Sequence, residues 1–279
     1  MALKIFDESL NQKCRKTSKS CISRQKSLEY ATKALRYAIQ KGARISSHSY
    51  GLIPGPKENF FSTFGDILGD NPKHILVAAA GNERNSNDNV PAWPCNTGLH
   101  TGVKNTICVA ASNRSNLPYY RSNRGRKSVD VFAPGEEISS LWANGIEPKY
   151  CLEINNCRHR DGTSYAAPHV AGLAALILSI QPTLEGKDVK KFIEDNVDTA
   201  PHFYQWTSTG GLINVGKTLK DVIEKFPASA TEIASPNYPN TYPNNVDETW
   251  PITAPSGSIV KLQFQSFYVS NFLFYNDWD

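Results

Sequence analysis

The sequence lacks several features that would assign it to a function class directly. Its 279 residues carry a formal net charge of only +4, so no strong excess of one sign indicates a nucleic-acid or acidic partner. Its six cysteines include no Cys-x2-Cys pair, which argues against a zinc site. The N-terminus has no positively charged start followed by an apolar stretch, so no signal peptide is predicted there.

Apolar runs long enough to span a bilayer are also missing. The most apolar stretch, Val170 to Ile180, is rich in Ala and Leu and is predicted to be a buried core helix. Segment 27–41 places its apolar residues on one helical face and stops at Gly42. Helical and strand patterns alternate along the chain, which predicts an α/β fold with a parallel sheet and helices on both faces.

One string combines the features of a nucleophile site. Residues 162–172 read Gly-Thr-Ser-Tyr-Ala-Ala-Pro-His-Val-Ala-Gly. Gly162 permits a tight turn, and Ser164 then lies at a helix N-terminus, where free N–H groups and the helix dipole stabilise a developing oxyanion. Pro168 is expected in the first helical turn, where a missing N–H costs little. A serine in this place is usually only a helix cap, but the complete string favours a nucleophile.

The string resembles the serine motif of subtilisin-like peptidases, the subtilases. An apolar run from Ile75 ends in Gly-Asn at residues 81 and 82, as the family's strand before its oxyanion-hole asparagine does. Segment 122–125, Ser-Asn-Arg-Gly, and segment 129–135, Val-Asp-Val-Phe-Ala-Pro-Gly, are similar to later segments of the family in the same order. Taken alone, each segment indicates only a turn or core packing. The ordered set carries the resemblance.

The resemblance implies a serine-type endopeptidase that acts on peptide or protein substrates. Ser164 is then the nucleophile and Asn82 the oxyanion-hole amide, although Asn also suits an ordinary turn. Two segments form the walls of the implied substrate cleft: Ser49, Tyr50 and Gly51 on one side, and Ala79, Ala80 and Gly81 on the other. The chemistry needs no cofactor and no catalytic metal ion, while a structural calcium ion is left open.

The base and the carboxylate of a catalytic triad are missing from the sequence. Subtilases carry an Asp and then a His-Gly-Thr segment before the serine, and this chain has neither motif. His48 is nearest the implied cleft, but strand alternation turns it to one face of the sheet. His169 lies about 140° around the helix from Ser164. The chain alone is therefore expected to be inactive as a peptidase.

The first residues indicate why those motifs are missing. Residues 2–6 are similar to the strand that follows the histidine helix of subtilases, and the family's Asp-bearing strand is expected between it and the strand at residues 44–47. We therefore expect a truncated gene model or a fragment. The alternative is a shortened, non-catalytic protein that binds peptides or partners.

The composition changes after residue 226. From Pro227 onward Pro, Asn, Tyr and Thr dominate, and residues 233–245 resemble the opening of a CUB domain, an extracellular β-sandwich module. We expect a peptidase domain over residues 1–226 and a partial CUB-like domain over 227–279, with a proline-rich linker as the alternative. The resemblance implies an extracellular protein partner. Glu248 stands where many CUB domains have a cysteine, and Asp277 alone is weak evidence for calcium.

Cysteine spacing and charge complete the expectations. The preferred disulfides are local, between Cys14 and Cys21, Cys95 and Cys108, and Cys151 and Cys157, among the fifteen pairings that six cysteines allow. Disulfides agree with a secreted or extracellular location.

The basic cluster at residues 121–127 has no interleaved aromatic residues and is interpreted as a solvated loop, so no nucleic-acid partner is expected. No membrane span is expected either.

Overall fold

The computed structural model describes residues 24–53, 59–140 and 160–226, together with residue 240. The chain divides into two compact units, Met1–Ala228 and Ser229–Asp279. The predicted strand at residues 2–6 and, apart from residue 240, the CUB-like segment lie outside the described residues. The same is true of the proposed disulfides Cys14–Cys21 and Cys151–Cys157.

Helices and strands alternate along the described residues, as the sequence predicts. Their bounds are α1 Arg24–Gln40, β1 Ile45–His48, α2 Phe60–Gly69, β2 Ile75–Ala79, α3 Thr97–Thr101, β3 Thr106–Ser112, β4 Val131–Pro134, α4 Thr163–Ile180, α5 Gly186–Asp195, β5 Asp198–Thr199, a 3-10 turn Pro201–Phe203, β6 Gly211–Leu212 and α6 Val215–Lys225. Gly42 stops α1 with a φ of +82°, a conformation that glycine adopts freely.

The six described strands form one sheet in the order β1-β2-β3-β4-β6-β5. All neighbours pair in parallel except β5 and β6, which are antiparallel. A parallel pair needs a crossover of a dozen or more residues, and the connection at residues 200–210 is shorter than that. The predicted parallel sheet with helices on both faces is confirmed, with this one antiparallel edge pair added.

Both faces of the sheet are covered. Residues of β2 and β3 are buried at every position, because alternate side chains enter two separate cores. One core packs the strands against α4, α5 and α6, and the other packs them against α1 and α2. The helical face predicted for residues 27–41 is buried or half-buried at Leu28, Ala31, Leu35, Ala38 and Ile39, and all of these except Ala38 belong to the second core or pack against it.

Helix α4 begins one residue before Ser164, which corrects the prediction for Pro168. Pro168 is the sixth residue of the helix and lies in its interior, not in the first turn. A residue with an N–H at this position would donate to the Ser164 carbonyl, four residues earlier. The proline leaves that carbonyl free, and Ser49 Oγ donates to it at 2.7 Å.

Among the described helices, α4 alone is long and apolar enough to cross a membrane by length and composition. The full helix has 18 residues, so the argument that the apolar stretch is too short does not hold. Eight of its residues are nevertheless buried, and the helix packs on the face of the sheet. This packing is that of the core helix predicted from its composition.

One predicted disulfide is present in the described part of the chain. Cys95 precedes α3 and Cys108 lies in β3, and the two are bonded with their Cα atoms 4.8 Å apart. Both residues are buried in the core beneath α1 and α2. The bond therefore ties the loop before α3 to a central strand.

Candidate active site

The candidate site lies where β1, β2 and β4 end and α4 begins. Carboxyl ends of parallel strands meet at one edge of a sheet, which is the usual ligand side of an open α/β fold. Gly162 carries the chain into α4 with a φ of +135°, and its N–H donates to the Gly135 carbonyl just after β4 at 2.7 Å. Its Cα lies close to Asn82, since an added Cβ would be 3.1 Å from Asn82 Oδ1. Glycine is required here by both conformation and space.

Asn82 is fixed to the first residue of α4. Its Oδ1 accepts hydrogen bonds from the Thr163 backbone N–H at 2.9 Å and from Thr163 Oγ1 at 3.3 Å. Thr163 Oγ1 in turn accepts from the Gly81 N–H at 3.0 Å. The amide oxygen of Asn82 is thereby committed to the protein, and its Nδ2 is the donor that remains for an oxyanion.

Ser164 and Ser49 bind each other reciprocally. Ser164 Oγ donates to the Ser49 carbonyl at 3.2 Å, while Ser49 Oγ donates to the Ser164 carbonyl. Ser164 is half-buried, and Ser49 is exposed. The hydroxyl is thus placed at the helix N-terminus, between the ends of β1 and α4. No described histidine makes a hydrogen bond with it.

His48 lies on the opposite face of β1 and belongs to a chain of buried hydrogen bonds. His74 Nδ1 lies 2.8 Å from the Ala43 carbonyl, so it must carry the proton and donate. This proton position fixes the donor in each of the next hydrogen bonds. Ser46 donates to His74 Nε2, His48 Nε2 donates to Ser46 Oγ, and Tyr50 donates to His48 Nδ1, at 2.7–2.8 Å. We refer to Tyr50, His48, Ser46 and His74 as the β1 relay.

Burial keeps the relay neutral. His48 is only 5% exposed, and desolvation, with a smaller effect of His74, lowers its pKa to about 3. Desolvation also lowers the pKa of His74, and it raises the pKa of Tyr50. Both ring nitrogens of His48 are occupied, and the ring contacts Phe64 at 6.0 Å between centroids. His48 is therefore a structural residue of the β1 face and does not reach Ser164.

The other predicted cleft residues differ in what they expose. Tyr50 packs its ring 5.9 Å from Trp93, so it offers backbone and not its side chain to a cleft. An added Cβ on Gly51 would lie 2.8 Å from the Trp93 carbonyl. On the facing segment, Ala79 is nearly buried, Ala80 is 0% exposed and Gly81 is half-buried. Any wall at these positions is made of backbone, and the substrate pocket stays a prediction.

Two residues near the site were not assigned a role from the sequence. Thr163 orients Asn82 and Gly81, as described above. Asn123 is buried and bonds to the loop that carries Asn82. Both occur in strings quoted for the family resemblance, but neither spacing nor residue type distinguishes them from turn residues. His169 is exposed, with Nδ1 2.8 Å from the Tyr165 carbonyl, so it faces away from the site.

No group of three or more His, Cys, Asp or Glu side chains that could hold a metal ion occurs within 24–53, 59–140 and 160–226. Asp277, the weak calcium candidate, lies outside the described residues. A calcium site is therefore untested.

Together, the doubly covered parallel sheet, the serine at a helix N-terminus and the adjacent amide form the arrangement that the sequence predicts for the start of this helix. The chain belongs to the subtilase family: the family model matches residues 18–222. A CUB domain model matches residues 223–276.

Curated relatives support the same assignment. The chain is 36% identical to subtilisin E of Bacillus subtilis over 141 residues, which cover 50% of this chain and 32% of that protein. It is 32% identical to the subtilisin-like serine protease Rho m 2.0101 of Rhodotorula mucilaginosa over 162 residues, or 58% of this chain and 42% of that protein. The matches span less than half the length of these relatives.

Solved structures show the fold. The chain resembles subtilase cytotoxin SubAB with a TM-score of 0.59 and 18% identity, over 74% of this chain and 68% of that one. It resembles the prenylagaramide maturation protease PagA with a TM-score of 0.56 and 22% identity, over 70% and 68% of the two chains. These likenesses confirm the predicted subtilisin-like architecture.

Proposed function

We propose that this chain supplies the nucleophile and the oxyanion hole of a subtilisin-like serine endopeptidase. The observation that carries the proposal is the joint placement of Ser164 and Asn82 at the start of α4, with Asn82 oriented by Thr163. Family membership supports the same reaction class. Ser49–Gly51 and Ala79–Gly81 then bind the substrate backbone, and the substrate is a peptide or a protein.

In the proposed reaction, Ser164 Oγ forms a bond to the carbonyl carbon of the scissile peptide. Its proton passes to a base, and the carbonyl oxygen becomes an oxyanion bound by Asn82 Nδ2 and the Ser164 N–H. The base then protonates the leaving amine as the C–N bond breaks, and water hydrolyses the acyl group from Ser164 in the second half of the reaction. The chemistry requires no metal ion or cofactor from this chain.

The chain alone is proposed to be inactive, because within residues 24–53, 59–140 and 160–226 no histidine or carboxylate is hydrogen-bonded to Ser164. His48 is committed to the β1 relay, and His169 is turned away. Loss of the serine or histidine of such a triad costs roughly a million-fold in turnover, a value known for subtilisin itself and carried over here. A second protein segment with an Asp and a His would have to complete the site.

The competing function is that of a non-catalytic peptide- or partner-binding protein. The missing His-Gly-Thr segment favours it, and the CUB match is compatible with an extracellular binding partner. The half-buried, intact Ser164 and the oriented Asn82 favour the peptidase. A secreted location is part of both proposals.

Labelling with a fluorophosphonate, which reacts with activated serines, tests the proposal. The chain alone should show no efficient labelling, and labelling should appear when a segment carrying the Asp and His is added. The variant Ser164→Ala should then abolish it. Ser179→Ala is the matched control, since Ser179 is an exposed serine on the same helix, and it should label like the parent chain.

Two results would contradict the proposal. Efficient labelling of the isolated chain at Ser164 would refute its inactivity. Absence of labelling after a complementing segment has demonstrably bound would refute the peptidase assignment and leave the binding protein. Sequencing the transcripts upstream of Met1 gives an independent test, because a mature message without those Asp and His motifs would also exclude a peptidase encoded on this chain.

A further inference from the structure

We propose that Asn123 is a positioning residue for the oxyanion hole: it holds the loop at residues 80–85 so that Asn82 faces the developing charge. The proposal rests on the proposed peptidase function. Asn123 itself would not touch the substrate. It follows β3 and Ser122, and it is only 2% exposed.

The side chain of Asn123 uses its complete hydrogen-bonding capacity on this loop. Its Oδ1 accepts from the backbone N–H groups of Glu83 and Asn85, both at 3.0 Å. Its Nδ2 donates to the Ala80 carbonyl at 3.0 Å and to Glu83 Oε2 at 2.9 Å. Two donors and two acceptor positions are all that an asparagine side chain has. These partners lie on both sides of Asn82 in the sequence.

The backbone around Asn82 requires such a support. Arg84 has a φ of +61° and Gly81 a φ of +109°, both in the left-handed range. A non-glycine residue in that range costs about 1 kcal/mol or more and persists only where its surroundings hold it. Arg84 lies between the two N–H groups that Asn123 Oδ1 accepts, so its conformation brings both donors to one oxygen.

Asn123 also contacts Gly81, the residue that precedes Asn82. The Asn123 backbone N–H donates to the Gly81 carbonyl at 2.9 Å. A Cβ on Gly81 would overlap the Asn123 side-chain amide, so a larger residue could not occupy position 81 without moving it. Asn123 thus holds the backbone on both sides of Asn82, and Thr163 holds the side chain of Asn82. Without Asn123, the hydrogen bonds between Thr163 and Asn82 should weaken.

The first test uses the chain as it is and does not require turnover. In Asn123→Ala, the NMR signals of the Asn82 side-chain amide, assigned with Asn82→Asp, should move towards those of a solvent-exposed asparagine. The Thr163 N–H signal should move with them, since Asn82 Oδ1 accepts from it. Asn123→Asp keeps an acceptor for the Glu83 and Asn85 N–H groups, so we expect a smaller displacement than in Asn123→Ala. It still displaces the loop, because it loses both Nδ2 donations and places a charge beside Glu83.

The matched control is Asn105→Ala. Asn105 is a buried asparagine at the opposite end of the sheet, and its Nδ2 bonds to the carbonyls of Leu68, Asn71 and His74. Its loss should lower stability as much as the loss of Asn123, and it should leave the Asn82 and Thr163 signals unchanged. A purely structural role of Asn123 predicts that both variants behave alike.

The second test measures turnover once a complementing segment makes the chain active. Asn123→Ala should lower kcat about tenfold to a hundredfold, below the effect known for losing the oxyanion donor itself in subtilisin, and change KM less than about threefold. Asn105→Ala should leave both constants within about twofold at a temperature where both variants are folded.

The outcomes separate the two proposals. Unchanged Asn82 and Thr163 signals in Asn123→Ala would overturn the positioning role, and so would equal kcat values for Asn123→Ala and Asn105→Ala. If Asn123→Ala does not fold, the NMR signals of Asn82 and Thr163 and the kcat are compared in Asn123→Asp instead. If no preparation turns over, the peptidase proposal fails, while the NMR signals still decide whether Asn123 orients Asn82.

Discussion

The two ends of the sheet use polar side chains differently. At the carboxyl end, Asn82 has its oxygen bound to Thr163 and its amino group left for a ligand, and Ser164 presents a half-buried hydroxyl. At the amino end, polar groups bind the protein itself. Arg44 donates to the carbonyls of Lys73, Pro182 and Leu184, and Asn105 donates to three further carbonyls.

This difference separates the edge that carries the proposed site from a stabilising edge within one fold. Amino-end bonds join loops that are far apart in sequence, so removing them should change stability and leave Ser164 in place. At the carboxyl end, the Ser49–Ser164 pair is expected to matter more for the placement of Ser164 than for stability. The β1 relay connects the two ends, because its hydrogen bonds run beside β1 from Tyr50 through His48, Ser46 and His74 to the Ala43 carbonyl.

The largest effect is expected at the amino end, from Lys190→Met. Lys190 Nζ lies 2.8 Å from Asp130 Oδ1 and donates to the Thr106 carbonyl at 2.9 Å, with both charged side chains less than one-fifth exposed. Burial lowers the pKa of Lys190, but the charges of Asp130 and Glu194 together raise it. Removing one partner of a buried pair should lower the free energy of unfolding by about 3 kcal/mol, measured by denaturant titration.

Lys191→Met is the control for this prediction. Lys191 lies next to Lys190 on α5, and its ion pair with Asp195 is exposed. Exposed pairs contribute little, so the variant should lose less than about 1 kcal/mol. Neither variant should move the NMR signals of Asn82. Equal losses in the two variants, or a displaced Asn82, would contradict the separation of the two edges.

The β1 relay should make stability depend on pH. Because the folded pKa of His48 is about 3 and its ordinary value is 6.5, the unfolded chain takes up the proton first as the pH falls. The stabilisation is complete above pH 6.5 and is lost progressively towards pH 3. His48 alone should account for a loss of about 2 kcal/mol at pH 5, measured as the change in unfolding free energy from pH 7.

The variant His48→Gln separates this effect from other titrations. A glutamine amide can accept from Tyr50 and donate to Ser46 as the imidazole does, but it does not take up a proton in this range. The variant should therefore lose less stability between pH 7 and pH 5 than the parent chain. His202→Gln, at an exposed histidine outside the relay, should keep the parent's dependence. An unchanged slope in His48→Gln would contradict the relay.

Much of the fold was predictable from the sequence, because it depends on patterns that repeat along the chain. The apolar periodicity of residues 27–41 predicts the buried face of α1, and the continuous apolar run from Ile75 predicts the buried strand β2. The antiparallel pairing of β5 and β6 was not predictable from periodicity. Each of these strands has only two residues, so neither carries a pattern of its own.

The candidate site was predictable only where a motif names the residue. The candidates Ser164 and Asn82 follow from strings that resemble the family, whereas the role proposed for Asn123 depends on hydrogen bonds to residues about 40 positions away in sequence. Pro168 was placed wrongly because the helix start at Thr163 depends on Gly162 and its contact with the end of β4. Long-range contacts of this kind leave no local signal in one sequence.

The smallest effect is expected at the carboxyl end, from Ser49→Ala. Ser49 Oγ donates to the Ser164 carbonyl, and Ser164 Oγ donates back to the Ser49 carbonyl. Since Ser49 is exposed, losing its hydroxyl should lower the unfolding free energy by about 0.5–1 kcal/mol. Ser47→Ala, at an exposed serine two residues earlier on the same strand face, should change it less.

A double-mutant cycle with Pro168→Ala sharpens this prediction. The alanine restores a backbone N–H four residues after Ser164, and that N–H can donate to the Ser164 carbonyl as in an ordinary helix. Ser49→Ala should then cost less in the Pro168→Ala chain than in the parent, with a coupling of about 0.5 kcal/mol. Equal costs in both chains would show that the Ser49 bond does not depend on the proline. A smaller cost in the Pro168→Ala chain would mean that the proline leaves the Ser164 carbonyl free to accept from Ser49, and so maintains the contact between the start of α4 and the residue that follows β1.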